Sequence, residues 1–386
     1  MTPGARVAAA IAVLDDIAAG QSAEQTLTRW GRQNRYAGSK DRAAVRDHVF
    51  DVLRRKRSAA AFGGGTNGRA LMLGVLRQDG LKVDDLFSGE GHAPGRLSEA
   101  ERNFEPPILT KGEAWNLPDW LVDAFQSSLG DHADATAMAL QTRAPVTLRV
   151  NLARTTVDQA RETLRAEGIE TELNALTEAA LTVTAGSRKI RQSTLYTNGL
   201  LELQDAASQA VVSLMPPGGR VLDFCAGGGG KSLALAMDAT RSVFAHDANV
   251  ARMRDLPERA SRAGVVIEIL TDQEMSDAPP FDVVLCDVPC SGSGAWRRNP
   301  DAKWILNQSQ VEALTMIQDN ILDQAVQLLR PGGVLVFATC SVLEIENEAR
   351  VAGFLARHKE WNCRLQRRFN VDQSGDGFFT AQLTAD

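Results

Sequence analysis

The chain has 386 residues, 44% of them hydrophobic and 23% charged, so it reads as a soluble globular protein of two or three domains. Its five cysteines, at 225, 286, 290, 340 and 363, are odd in number and widely spaced, which excludes a disulfide framework. No Cys-x-x-Cys pair or histidine cluster suggests a metal, and no apolar run approaches the roughly 20 residues needed to span a bilayer. A cytoplasmic protein without metal is expected, and a monomer.

The opening segment Arg6 to Leu14 runs straight into Asp15-Asp16, which favours an amphipathic helix over a signal peptide. Helical periodicity continues to about Leu76, with Val49, Val52 and Leu53 on one face and breaks at Gly20, Gly38 and Gly63-Gly64-Gly65. Between Arg29 and Arg57, ten lysines or arginines face only Asp41, Asp47 and Asp51, although the whole chain carries a net charge of −6. A basic face of that kind can hold phosphates locally; an ordinary solvated helix surface gives the same count. Short helices and linker are expected from Leu76 to Thr110, and a helix opens at Leu117-Pro118-Asp119.

From Pro145 the texture changes. Val146 to Asn151 alternates as a strand, Val157 to Glu167 reads as a helix stopped by Gly168, and strands follow at Leu181 to Thr184 and Gly199 to Gln204. After Gln204, strands are expected at Val221 to Cys225, Ser242 to His246, Val265 to Leu270, Asp282 to Cys286 and Gly333 to Ala338, alternating with helices. That pattern implies a doubly wound parallel sheet, whose ligands bind beyond the carboxyl ends of the strands. The expected domains are 1–76 helical, 77–140 helical linker, 141–203 small α/β and 204–386 catalytic.

Four consecutive glycines, Gly227, Gly228, Gly229 and Gly230, join a strand to a helix and let the backbone approach a ligand closely. A phosphate-binding P-loop would need glycine where Cys225 stands, six residues before Lys231. Asp247 ends the next strand, where a carboxylate can accept from both ribose hydroxyls of a nucleoside cofactor, and Asp272 lies just past the third strand, within reach of an adenine. Cys225 and Cys286, inside apolar strands, read as small apolar residues. Cys290 and Cys340 differ, because each stands where a strand stops and a polar loop begins.

These residues form a recognisable set. Asp287-Val288-Pro289-Cys290-Ser291-Gly292-Ser293-Gly294, Arg298 to Trp304, and Ala338-Thr339-Cys340-Ser341 resemble the RNA cytosine-5 methyltransferases of the RsmB (Sun, or Fmu) and NSUN family. Gln204-Asp205-Ala206-Ala207-Ser208-Gln209 and Asp376-Gly377-Phe378-Phe379 also look like that family, and the region around Arg32 to Leu53 resembles the NusB-like domain of its RsmB branch. The resemblance implies a class I, Rossmann-like methyltransferase domain preceded by a small RRM-like α/β domain and an all-helical NusB-like domain.

It also implies S-adenosylmethionine as cofactor, held by Cys225, Ala226, Gly227, Gly228, Gly229, Gly230 and Lys231 at its methionine end, by Asp247 at the ribose and by Asp272 near the adenine. RNA, foremost rRNA, is the implied partner. Cys340 is the implied nucleophile and Cys290 the implied agent of product release, with Asp287 on the cytosine or the cofactor. Lys303, Arg297 and Arg298 are candidates for RNA phosphates. The family commonly has proline at the place of Gly228 and threonine at that of Ser232. The rival from another class is an RNA-binding ribosome assembly factor that kept this fold but lost methyl transfer.

Overall fold

The computed structural model describes residues 1–385 and divides into two compact units. The first comprises residues 1–126, 130–143 and 296–306, and the second residues 127–129, 144–295 and 307 onward.

The first unit is helical. Helices Pro3–Ala18, Ala23–Gln33, Ser39–Arg54, Lys56–Gly63 and Gly68–Gln78 enclose a core that includes Val7, Val13, Val49, Val52, Leu53, Met72 and Leu76. Gly74 and Gly63 allow the last two helices to touch: a Cβ on Gly74 would lie 1.9 Å from the Ala59 carbonyl oxygen. Much of the basic face is neutralised locally. Arg29 pairs with Asp16, Arg46 with Glu24, Arg55 with Asp79 and Arg57 with Asp119, which leaves Arg32, Arg35 and Lys40 exposed at the turn between the second and third helices.

The segment 296–306, far away in sequence, completes this unit. Trp304 Nε1 donates to the Leu53 carbonyl at 2.7 Å, Lys303 Nζ to the Arg54 carbonyl at 3.0 Å, and Arg54 Nε to the Arg297 carbonyl at 2.8 Å. Lys303 is 1% exposed, and burial, helped by the charge of Arg54, brings its ammonium down to about 7. An unfolded chain holds that proton up to the ordinary lysine range, so unfolding takes up a proton between about pH 7 and 10 and stability rises with pH across that window. Thermal melts of the wild type and Lys303→Met at constant ionic strength test this. The variant is expected to lose that part of the rise.

The second unit contains two sheets. Strands β1 (Val146–Val150), β2 (Glu170–Leu173), β3 (Ala180–Ala185) and β4 (Leu201–Leu203) form an antiparallel sheet in the order β2-β3-β1-β4. This is the strand order of a ferredoxin-like domain, the class to which RRM-like folds belong. Its crossover helix Val157–Ala166 begins with a capping box between Thr156 and Gln159. β2 was not expected from sequence: its polar residues, Glu170, Thr171 and Glu172, lie at an exposed edge and show no apolar alternation.

The larger sheet contains β5 (Gly219–Asp223), β6 (Arg241–Ala245), β7 (Glu268–Ile269), β8 (Phe281–Asp287), β9 (Leu329–Thr339), β10 (Trp361–Phe369) and β11 (Phe378–Ala385). The order is β10-β11-β9-β8-β5-β6-β7, parallel from β9 to β7, with β11 antiparallel to β9 and β10 antiparallel to β11. This is the class I methyltransferase arrangement. The near-continuous apolar runs of β8 and the second half of β9 fit strands covered on both faces. The small domain is tied to this sheet within the unit. Asn151 Nδ2 donates to the Ala263 carbonyl at 2.9 Å, and Glu202 of β4 pairs with Arg259 at 3.0 Å and Arg262 at 2.5 Å.

Among the described residues, no helix is long and apolar enough to cross a membrane.

Candidate active site

Parallel pairing of β8 with β9 runs to Asp287 opposite Ala338, and Val288 N then donates to the Ala338 carbonyl at 3.0 Å. Both chains leave the sheet at the same edge, so Cys290 and Cys340 emerge side by side with their sulfurs 3.5 Å apart. They open on a cleft of about 500 Å³ lined also by Cys225, Ala226, Gly227, Gly228, Gly230, Lys231 and Asp287. Residues some 115 positions apart are thereby gathered at the carboxyl ends of three adjacent strands, where ligands bind in such sheets.

The glycine loop is held rigidly. Ala226 N donates to the His246 carbonyl at 2.9 Å, Gly229 N to the Ala226 carbonyl at 2.8 Å, and Gly227 N to Asp247 Oδ2 at 2.8 Å. Gly227 and Gly229 take φ of 55° and 75°, the left-handed region that side chains disfavour. At Gly229 a Cβ would in addition lie 2.3 Å from Leu256 Cδ1. Gly229→Ala is therefore expected to weaken cofactor binding roughly tenfold or more, since left-handed backbone strain alone costs about 1–2 kcal/mol; calorimetric titration with S-adenosylmethionine measures it. Gly228 needs no such freedom, and a Cβ there would meet only Arg259 Nη1 at 3.7 Å, so the loop has room for a side chain at this position.

Beneath the loop, Ser232 Oγ donates to Asp223 Oδ2 at 2.6 Å, a bond that either serine or threonine can make. Burial pushes the Asp223 carboxyl up to about 7. Lys231 Nζ lies 2.6 Å from Asp287 Oδ2. Burial opposes the lysine's charge, but the carboxylate of Asp287 outweighs it and raises the ammonium above its ordinary value. The site thus carries a fixed cation and anion beside the two thiols. The hydrogen bond to Cys340, burial, and electrostatic interaction with Cys340 and Glu346 all raise the Cys290 thiol well above its ordinary range, so it stays protonated at neutral pH.

Asp247 is 4% exposed, accepts from Gly227 N and Asn249 N, and pairs with Arg252 at 3.2 Å. It borders the loop as a ribose-binding carboxylate would. Neither Asp247 nor Asp272 lines the cleft: Asp247 lies behind the loop, whereas the Asp272 side chain is 89% exposed and accepts from His246 Nε2 at 2.7 Å. The cleft fits S-adenosylmethionine in its size and in the glycine loop that lets a ligand approach the backbone closely, with Asp247 bonded to that loop from behind.

Gln204, Ser208, Arg252 and Pro289 also line the cleft and were not singled out individually from sequence. The motif from Gln204 to Gln209 was the available signal for the first two. Arg252 had none, because a surface arginine after a strand is ordinary. Lys303 and Arg297 correct an expectation. Both are buried, at 1% and 0% exposed, so neither is available to RNA phosphates; Arg298 remains at the surface. Among the described residues, no group of three or more His, Cys, Asp or Glu could hold a metal.

A family model described as 16S rRNA methyltransferase RsmB/F matches residues 211–384, and one described as the ferredoxin-like domain of RsmF/B-like methyltransferases matches residues 117–188. The chain is 33% identical to ribosomal RNA small subunit methyltransferase B of Xylella fastidiosa strain Temecula1, with 90% of each protein covered. Among solved structures, PH0851 resembles it with a TM-score of 0.76 at 21% identity, over 100% of this chain and 99% of that one. A methyltransferase homologue from Pyrococcus horikoshii has a TM-score of 0.63 at 23% identity, over 73% of this chain and 100% of its own. These two structures speak to the fold.

Proposed function

Because the chain belongs to the RsmB/F family of rRNA methyltransferases, which use S-adenosylmethionine, we propose that it methylates carbon 5 of a cytosine in 16S rRNA through a covalent adduct with Cys340. The observation that carries this reading is the pair of thiols 3.5 Å apart, opening on the same cleft as the glycine loop and the Lys231–Asp287 pair.

Carbon 5 of cytosine is a weak nucleophile. Addition of the Cys340 thiolate to carbon 6 makes the ring an enamine that is nucleophilic at carbon 5. S-adenosylmethionine supplies an electrophilic methyl group on its sulfonium. Asp287, held by Lys231 and facing the cleft, can accept from the exocyclic amine of the cytosine or contact the cofactor. Product release then requires the carbon 5 proton to pass to a base, solvent water entering the open cleft, as the bond to carbon 6 breaks and its electron pair returns to the Cys340 sulfur. Cys290, kept as a neutral thiol, can donate to that departing sulfur. The target base must leave its stack to enter the cleft, which favours single-stranded or looped RNA. The exposed Arg32, Arg35 and Lys40 of the helical unit are available for phosphates.

The test is transfer of labelled methyl from S-adenosylmethionine to 16S rRNA lacking its own modification, with nucleoside mapping of the product. Label in 5-methylcytosine with wild type and none with Cys340→Ala is the expected result. Label in another nucleoside refutes the cytosine reading. RNA binding without any transfer by the wild type favours the assembly-factor rival.

A further inference from the structure

Behind the two thiols lies a buried carboxylate whose charge helps keep Cys290 protonated but whose contacts the steps above do not use. Glu346 is 0% exposed and stands in the short 3-10 turn Glu344–Glu346 that follows β9. Its Oε1 accepts from Ser291 N at 2.7 Å and from Gln318 Nε2 at 3.2 Å. Its Oε2 accepts from Ser341 Oγ at 2.6 Å and from the Ser291 hydroxyl. Ser291 follows Cys290 and Ser341 follows Cys340, so one carboxylate holds the neighbour of each thiol.

The surrounding bonds extend the tie. Ser293 Oγ lies 2.9 Å from Ser341 Oγ and accepts from Val342 N at 2.9 Å, while Gly294 N donates to the Cys340 carbonyl at 2.9 Å. Gln318 Nε2 also reaches the Pro289 carbonyl at 2.9 Å, which anchors the cluster to the helix Gln308–Val326. Strand pairing ends at Val288 and Ala338, so beyond that point these side-chain bonds, together with the backbone bond from Gly294 N to the Cys340 carbonyl, set the separation of the two loops. A buried carboxylate is costly unless its acceptor sites are filled, and here they are filled by donors from three elements.

We propose that Glu346 is a positioning residue that fixes the distance between Cys290 and Cys340 by clamping the loops that carry them. Its consequence for turnover rests on the roles proposed above for the two cysteines; its effect on sulfur spacing does not.

Two readouts separate these parts in the full-length protein. The first is the rate at which diamide joins Cys290 to Cys340, quantified as the linked peptide by mass spectrometry. In that reaction the two thiols lose their hydrogens to the diazene, which becomes a hydrazine, and one S–S bond forms. The second is steady-state methyl transfer, with kcat and KM for RNA determined separately. Glu346→Ala is expected to slow linking roughly tenfold and to lower kcat roughly a hundredfold, the scale of a misplacement of about 1 Å. KM for RNA and the Kd for S-adenosylmethionine stay within about twofold of wild type. Glu346→Gln, which keeps the acceptor for Ser291 N, recovers much of both rates.

A Glu346→Ala protein that binds the cofactor normally yet links its thiols at the wild-type rate overturns the proposal. If that variant does not fold, Ser291→Ala and Ser341→Ala each remove one clamp bond, and unchanged linking in both overturns it equally. Slowed linking in a protein whose wild type transfers no methyl group upholds the clamp and refutes the catalytic reading instead.

Discussion

Cys290→Ala, incubated with 16S rRNA and S-adenosylmethionine, is expected to accumulate a protein–RNA adduct that survives denaturant, while Cys340→Ala forms none. The sulfur of Cys340 must both add to carbon 6 and leave it, and addition needs only Cys340 and a bound base. Departure leaves a thiolate that is only partly exposed to solvent, where a donor 3.5 Å away matters. Cys290 fits that task because its thiol remains protonated, through its bond to Cys340, burial and the neighbouring charges. Its loss is expected to slow release by roughly 10²–10⁴, the usual contribution of a placed proton donor, so the adduct builds up. Loss of Cys340 removes the covalent route, and methyl transfer is expected to fall by roughly 10³ or more. Denaturing gels with labelled RNA read the adduct, and the double variant, expected to trap nothing, identifies Cys340 as the attachment point. An adduct that persists in the double variant would falsify this assignment.

A second large effect is expected from Glu202→Ala, far from the thiols. Glu202 is 5% exposed on β4 and receives Arg259 at 3.0 Å and Arg262 at 2.5 Å from the methyltransferase domain. Arg149, on the neighbouring β1, is buried enough that its guanidinium falls to about 10, and the charge of Glu202 opposes that fall. Removing the carboxylate leaves three arginines in one poorly solvated place with no counter-charge. Breaking a buried ion pair from one side commonly costs about 3–5 kcal/mol, and the partial exposure of Arg259 and Arg262 argues for about 3. The damage is expected to reach the cofactor loop, because Arg149 Nη1 donates to the Gly230 carbonyl at 2.8 Å. Urea denaturation with and without S-adenosylmethionine measures both consequences. Unchanged stability together with unchanged cofactor affinity would show that the cluster is redundant.

The sequence by itself determined the parallel sheet, the glycine loop and the placing of Cys290 and Cys340 at strand ends, because these follow from local rules. Apolar runs such as Val283 to Cys286 and Val334 to Ala338 specify buried strands, and a side chain just after a strand must lie at the sheet's edge. Local rules could not reveal β2, whose exposed edge carries no alternation, or that Lys303 and Arg297 face inward, since a lysine among polar residues has the pattern of a surface one. Nor could they find Glu346 or Glu202, which look like ordinary charges until folding surrounds each with donors from elsewhere in the chain. Periodicity reports which face of an element is apolar. Which polar groups meet behind that face depends on contacts between residues from 5 to 249 positions apart, and only the tertiary structure decided those.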